Sequence, residues 1–314
     1  MFRKGAVETT PLPRDRARAA DARRWCSIAG MRLGDWAHAI EDVRHSIAMS
    51  TRLADVQREA KSFNVAGAVE FERGDWVAAL DLFEKARVLA RSVGDRLLLA
   101  KIDNNEGAVW AARGVPARAR RLYASALAGF RATDEFVAAA RVMNNLGLSM
   151  AEEKALFEAI DWYEQAAETA RSAGEKDLLL TILINLATTA AEGGRAAYGR
   201  VVVEEALDLA ADIDGQPARA DLFCALAKVA RHERQWDAAE KWSEAALQAA
   251  GDGMNPLAEG EAWEQIAHLR RDQGRFVDAG AAIERARARF QILGAQSAAA
   301  RAVKFASNLP TGVP

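Results

Sequence analysis

The sequence predicts an all-α solenoid of about seven helical hairpins followed by a partial C-terminal capping helix, and three observations support this prediction. First, two amphipathic helical stretches joined by a tight turn recur every forty residues, with the turn at Gly34, Gly74, Gly114, Lys154, Gly194, Arg234 and Gly274. Second, small residues recur at fixed distances from that turn. Third, 50% of the residues are hydrophobic but only 7% are aromatic, so the apolar content is mostly alanine. Such a composition suits close helix packing rather than a sheet.

The small residues form three columns along the repeats. They stand seven positions before the turn, from Ser27 to Ala267, five positions after it, from Ala39 to Ala279, and twelve positions after it, from Ser46 to Ala286. Large apolar residues follow the turn by nine positions in most repeats, at Val43, Phe83, Tyr123, Tyr163, Val203 and Ile283. Large residues beside small ones let two helices interdigitate. Each repeat is therefore predicted to be a helix A, a turn and an antiparallel helix B.

Taken in order, the chain is expected to begin with a flexible arm over residues 1–14, which contains Pro11 and Pro13 and has no apolar period. The seven repeats fill residues 15–293, and the first of them carries Arg23 and Arg24 where later repeats have an aromatic residue or asparagine, as suits a terminal capping unit. Repeats two to four are the most regular. Residues 294–307 form a half-repeat that caps the array, and residues 308–314 are predicted to be a disordered tail.

The repeat resembles the tetratricopeptide repeat (TPR). The resemblance rests on a small residue in helix A, the Gly-x-aromatic turn seen in Gly74-Asp75-Trp76, and two alanines seven positions apart in helix B, such as Ala79 and Ala86. The forty-residue period exceeds the usual thirty-four, so the chain looks like the lengthened class of kinesin light chain, the Leu-Gly-Asn-repeat proteins and Rap-type regulators. HEAT and armadillo repeats have a similar period, but the three small columns argue against them. The resemblance implies a right-handed superhelix whose A helices line a concave groove.

Charge and composition exclude several classes of protein. The net charge of −2 gives no general attraction to nucleic acid or acidic membranes. Cys26 and Cys224 form no CxxC pair, so neither a zinc site nor a disulfide framework is indicated. No apolar run approaches the length that spans a bilayer, and the N-terminus has no signal-peptide pattern. We therefore predict a cytoplasmic protein with no membrane partner and no cofactor.

The predicted groove face of the A helices carries six asparagines and three cations. They are the candidate peptide-binding residues Lys61, Asn64, Lys101, Asn104, Asn105, Arg141, Asn144, Asn145 and Asn185. Asparagine is a poor helix former and caps nothing at mid-helix. Either these amides tie neighbouring repeats together, or they offer donors and acceptors to a peptide backbone while the cations hold its carboxylates. The TPR resemblance implies the second role for Asn105, Asn145 and Asn185.

The sequence thus predicts a non-catalytic module that holds an extended peptide or disordered partner segment in the groove of repeats two to five, as a regulator or sensor. The expected partner carries acidic side chains or a free C-terminal carboxylate. The alternative is an assembly scaffold that acts by self-association, as a homo-oligomer, or through its convex surface. Nucleic acid is a less favoured partner, because only Lys61, Lys101 and Arg141 approximate the basic stripe that it needs, and Glu70 and Glu72 lie nearby. For an enzyme, a Cys224/His268 pair is conceivable, but no third group that would orient it is identifiable.

Overall fold

The structure, a computed structural model, describes residues 13–213, 219–253, 255–293 and 295–310. These ranges contain fifteen helices and no strand. The helices are α1 (Pro13–Arg32), α2 (Trp36–Arg52), α3 (Val56–Glu72), α4 (Trp76–Ser92), α5 (Arg96–Ala112), α6 (Pro116–Arg131), α7 (Phe136–Glu152), α8 (Leu156–Ser172), α9 (Lys176–Glu192), α10 (Ala196–Ala211), α11 (Arg219–His232), α12 (Trp236–Asp252), α13 (Pro256–Asp272), α14 (Phe276–Ile292) and α15 (Gln296–Ser307). The all-α array of TPR-type hairpins is confirmed. Among the described helices, none combines the length and apolar character needed to cross a membrane.

Three sequence expectations concern the ends of the chain. Helix α1 begins at Pro13, so the last two residues of the segment 1–14 are helical, while residues 1–12 lie outside the described residues. Helix α15 carries Ala302 and Phe305, which share a core cluster with Ile283 and Phe290 of α14. Of the predicted tail, Asn308 is the C-cap of α15, and residues 311–314 lie outside the described part of the chain.

The Gly-Asp pairs at the turns both end one helix and begin the next. The Asp75 N–H donates to the Glu70 carbonyl at 2.9 Å and the Gly74 N–H donates to the Phe71 carbonyl at 2.9 Å, which closes α3. The φ of Gly74 is +85°, where glycine is favoured over residues with a side chain. The Asp75 carboxylate then accepts the Ala78 N–H at 3.0 Å, which caps α4. The tight turn predicted from the glycine column follows from these bonds.

The columns of small and large residues meet inside the hairpins. A Cβ atom added at Gly67 would lie 2.5 Å from the ring of Phe83, and one added at Gly107 would lie 2.6 Å from the ring of Tyr123. Both distances are far below van der Waals contact. The aromatic ring of helix B therefore packs directly on the backbone of helix A, as the spacing predicts.

The chain divides into two compact units, Met1–Asn145 and Leu146–Pro314, called here unit 1 and unit 2. The division falls within α7. In unit 1 the A helix α3 contacts both α1 and α5, and in unit 2 the A helix α11 contacts both α9 and α13, while each of these A helices also contacts its own B helix. Residues on neighbouring A helices, forty or forty-one positions apart in the sequence, are thereby brought side by side within each unit.

Candidate functional site

The predicted binding residues of unit 1 occupy one face of α3, α5 and α7. Lys101 and Arg141 are exposed, and Lys61 is partly exposed. Asn104, Asn105 and Asn145 are half-buried, whereas Asn64 and Asn144 are buried. Asn185 is half-buried on α9 and belongs to unit 2. The face is thus polar but not fully solvated, with its cations further out than its amides.

Four of the asparagines form a chain of amide hydrogen bonds that joins three helices. The Asn145 Nδ2 donates to the Asn104 Oδ1 at 3.2 Å, the Asn104 Nδ2 donates to the Asn105 Oδ1 at 3.3 Å, and the Asn105 Nδ2 donates to the Asn64 Oδ1 at 3.1 Å. These contacts match the expectation that the amides tie neighbouring repeats together. Each carboxamide has two N–H donors and two acceptor lone pairs, so the chain of bonds leaves hydrogen-bonding capacity on this face.

A cavity of about 230 Å³ lies on the same face and brings together five of the nine predicted residues. Its lining consists of Asn64, Lys101, Asn104, Asn105, Phe130, Ala138 and Arg141. Lys61, Asn144 and Asn145 do not line it. Phe130 and Ala138 were not predicted. Phe130 belongs to a B helix, whereas the predicted groove residues were all on A helices. Ala138 cannot be distinguished by residue type from the many alanines that pack in the core.

The three predicted cations of unit 1 differ in their electrostatic surroundings. Lys61 and Lys101 both help to lower the pKa of Asp95, the N-cap of α5. Burial is the largest single influence and would raise that pKa, but the hydrogen bonds from the Leu98 N–H and the Gln57 amide, together with the two lysine charges, lower it overall. Arg141 has no ion pair with any described residue. Its guanidinium is therefore available to an anionic ligand, and Lys101 lies beside it in the same cavity.

Asn185 lines a chemically different cavity, of about 310 Å³, in unit 2. The other lining residues are Thr181, Ile184, Thr188, Asp221, Cys224, Ala225, Lys228, Glu261 and Gln265. Burial, then the neighbouring charges of Asp221 and Glu264, raises the pKa of Glu261 to about 7. Lys228 is paired with Glu192. The side chains around Asn185 are thus partly acidic, unlike the cationic rim of the unit 1 cavity.

The Cys224 and His268 side chains do not have the properties of a nucleophile and its base. Burial, then the nearby carboxylates Glu261 and Asp221, raises the pKa of the Cys224 thiol well above its usual range. Burial, then the Arg231 and Arg271 charges, lowers the pKa of His268 to about 3. An activated cysteine requires a lowered thiol pKa. In the described residues, no cluster of three or more His, Cys, Asp or Glu side chains is arranged to hold a metal ion.

Comparison with known proteins gives likeness at the level of fold. No family model matches the chain, and no curated protein matches its sequence. Among solved structures, the apo form of RapI has a TM-score of 0.70 at 12% identity, covering 87% of this chain and 98% of its own. A Rap protein complexed with competence and sporulation factor has a TM-score of 0.60 at 13% identity, covering 93% and 97%.

A third similar structure is the signal transduction ATPase PH0952 from Pyrococcus horikoshii, a protein with a tetratricopeptide repeat sensor. Its TM-score is 0.68 at 14% identity, over 92% of this chain and 46% of that one. Identities this low establish fold and not function. Together with the forty-residue hairpins, these likenesses show that the chain has the tetratricopeptide-type repeat fold, as its sequence predicts.

Proposed function

We propose that unit 1 is a protein-interaction module that binds an extended peptide segment, with Lys101 and Arg141 holding a carboxylate of that segment. The observation that supports this proposal is the single cavity of about 230 Å³ in which both cations meet three of the asparagines. A guanidinium binds a carboxylate through two parallel hydrogen bonds, whereas an ammonium acts as a compact charge. The pair therefore suits an acidic side chain or a C-terminal carboxylate.

The rest of the cavity suits the remainder of a peptide. The amides of Asn104 and Asn105 retain acceptor and donor positions that match a peptide backbone. Phe130 and Ala138 supply an apolar wall for a side chain. Because the amides are already fixed by their mutual hydrogen bonds, little ordering is required of them on binding, which favours affinity.

The properties of the similar proteins agree with a binding role. One of the Rap structures is complexed with competence and sporulation factor, and the PH0952 protein carries its tetratricopeptide repeats as a sensor. By analogy, we infer that binding in unit 1 serves a regulatory or sensing function without catalysis by this chain. The participation of Lys61, Asn144, Asn145 and Asn185 remains a prediction, since none of these four lines the unit 1 cavity.

The test is a comparison of peptide binding between variants of the full chain. Fluorescence polarisation is measured with a pool of acidic peptides made with either a free or an amidated C-terminus. We expect the double variant Lys101→Ala, Arg141→Ala to weaken binding at least about tenfold, as removal of charge-assisted hydrogen bonds does. The matched control is Lys85→Ala, Arg121→Ala, which removes two exposed cations from the B helices α4 and α6.

Two outcomes would count against the proposal. If both double variants lose affinity equally, the attraction is a general charge effect and the cavity is not the site. If no peptide binds, or if binding is independent of Lys101 and Arg141, the alternative of a scaffold acting by self-association or through its B helices is favoured. Loss of binding only with the amidated peptides would assign the cavity to a C-terminal carboxylate rather than to an acidic side chain.

A further inference from the structure

Unit 2 contains a second polar cavity, which the peptide proposal does not use. Its volume is about 540 Å³, and its lining consists of Arg231, His232, Arg234, Trp236, Arg271 and Asp272. These residues lie at the C-terminal ends of α11 and α13 and at the turn that leads into α12. We call this site the arginine cleft.

Two of its three guanidiniums are held in place by one carboxylate. Arg231 Nη1 donates to Asp272 Oδ2 at 2.5 Å, and Arg271 donates to Asp272 Oδ1 from Nε at 3.0 Å and from Nη2 at 2.8 Å. Arg231 is only 9% exposed, and its Nη2 is 3.2 Å from His232 Nε2. Because an arginine nitrogen only donates, the neutral imidazole accepts there and carries its own proton on Nδ1. The wall of the cleft is thus preorganised and rich in donors.

The third guanidinium, Arg234, is not required by the fold. Arg234 occupies the turn position that is glycine in five of the seven repeats, and its φ is +58°, a conformation that disfavours residues with a side chain. Its side chain forms no hydrogen bond or ion pair with a described residue. Lys154 is the other exception at this turn position, with φ of +64°, but it pairs with Glu192 at 3.3 Å. Arg234 therefore places an uncompensated charge at the cleft in an unfavourable backbone conformation.

The start of α12 borders the cleft through Arg234 and Trp236. The N-cap of α12 is Gln235, whose side chain makes no capping hydrogen bond, as is also the case for α6, α8 and α10, and the first turn of α12 carries the acidic residue Asp237. An uncapped helix start presents free N–H groups and the positive end of the helix dipole. At the C-terminal ends of α11 and α13, Arg231 and Arg271 lie in the last turns, where their positive charges offset the negative ends of the two helix dipoles.

We propose that the arginine cleft binds a phosphate monoester. Three guanidiniums and one carboxylate leave a formal charge of +2 when His232 is neutral, and a phosphate monoester carries about −1.5 to −2 at neutral pH. Guanidinium groups match the geometry of phosphate oxygens. The volume of the cleft falls in the usual range for small-molecule sites. It has room for the group that carries the phosphate, with Trp236 as an apolar wall.

The phosphate can belong to a small metabolite or to a phosphorylated residue of a protein, because both present the same group to the arginines. The proposal does not depend on the peptide site of unit 1, which lies in the other compact unit. The two proposals can therefore fail separately. Variants at the cleft are expected to leave acidic-peptide binding in unit 1 unchanged.

The experiment is isothermal titration of the full chain with three probes: inorganic phosphate, a hexose phosphate, and a peptide containing phosphoserine beside its unphosphorylated form. We expect binding of the phosphorylated probes, and we expect Arg234→Gly to weaken it at least about tenfold. The same substitution should preserve or raise the melting temperature, because glycine suits the positive φ at this turn. Lost binding in this variant is therefore not a consequence of unfolding.

The control is Lys154→Gly, which makes the same change of charge and backbone at the same turn position, in the same unit. It should leave phosphate binding within about twofold of the unaltered chain. Tighter binding of the hexose phosphate would identify a metabolite as the source, and tighter binding of the phosphopeptide would identify a modified protein. The proposal is overturned if none of the phosphorylated probes binds, if Arg234→Gly binds as tightly as the unaltered chain, or if Lys154→Gly loses affinity equally.

Discussion

The ring of Phe83 rests on the backbone of Gly67, so closely that the first atom of any side chain at that position would lie 2.5 Å from the ring. The glycine is in the middle of helix α3, where it costs about 0.5–1 kcal/mol relative to alanine. The fold accepts this cost because the contact brings two helices of one hairpin together around a fully buried aromatic residue. The same arrangement recurs at Gly107 and Tyr123.

Gly67→Ala is expected to destabilise the protein by about 1–3 kcal/mol, because the added methyl overpacks the contact with Phe83 by more than the helix propensity of alanine gains. Urea unfolding followed by circular dichroism measures this change. The control is Gly251→Ala near the end of α12, where an added Cβ meets no atom within 4 Å. That substitution should stabilise by roughly 0.5–1 kcal/mol, and an equal effect of the two would refute the packing argument.

Asn104→Ala tests the structural role of the chain of amide hydrogen bonds. The substitution leaves the Asn145 donor and the Asn105 acceptor without their partner, at a cost of about 1 kcal/mol. Lys101→Ala, by contrast, removes an exposed side chain that has no ion pair and should change stability by less than about 0.5 kcal/mol. Thermal unfolding measures both. The prediction fails if Asn104→Ala is no less stable than Lys101→Ala.

Arg87→Ala should be the most destabilising of the charge-removing substitutions discussed here. Arg87 donates to Asp103 at 2.5 Å and to Glu106 at 2.7 Å, and all three side chains are 12% exposed. Its removal leaves two nearly buried carboxylates uncompensated, which costs about 3–5 kcal/mol. Arg171 pairs with Glu168 and Glu205 but is 46% exposed, so Arg171→Ala should cost about 1 kcal/mol or less. Similar losses for both, measured by denaturant unfolding, would contradict the prediction.

Glu261→Gln should stabilise the protein above neutral pH and have a much smaller effect near pH 5. The pKa of Glu261 in the folded chain is raised to about 7 from 4.5, so the folded state holds its proton more tightly than the unfolded state. The stability that this tighter proton binding contributes is fully present below the unfolded pKa of Glu261 and is lost as the pH rises through about 7. At pH 8 we expect a gain of roughly 1–3 kcal/mol from the glutamine. If the variant and the unaltered protein have equal unfolding free energies at both pH 5 and pH 8, the ionised form of Glu261 does not destabilise the fold and the prediction is wrong.

The helices, their turns and the pairing of small with large residues were predictable from the sequence because each rests on local chemistry repeated at a fixed interval. The position of Gly67 opposite Phe83 is one such case. The cavities were not predictable in the same way. Phe130 reaches the unit 1 cavity from a B helix, and Asp272 joins Arg231 to Arg271 across two repeats. Such contacts depend on how neighbouring hairpins stack, and the stacking cannot be read from the residue type at one repeat position.

The importance of Arg234 could not be recognised from the turn column in the sequence. At Arg234 a cation stands where five other repeats have glycine, and as a sequence feature it looks like simple loss of a turn residue. The structure shows that Arg234 has a positive φ and lies among other arginines, and neither property can be read from the substitution of glycine alone. The chain of amide bonds is a similar case, since the sequence placed the asparagines on one face but left open whether they bond to each other or to a ligand.

The aspartates that follow Gly34 and Gly74 each join the end of one helix to the start of the next. Because the Asp75 N–H closes α3 while its carboxylate holds the first turn of α4, opening of that residue releases the end of one helix and the start of the next together. The end of the first helix and the start of the second therefore fray together at this turn. The amide protons on both sides of these two turns should therefore exchange with solvent at a common rate, because the hairpins α1–α2 and α3–α4 each open at the turn as one unit.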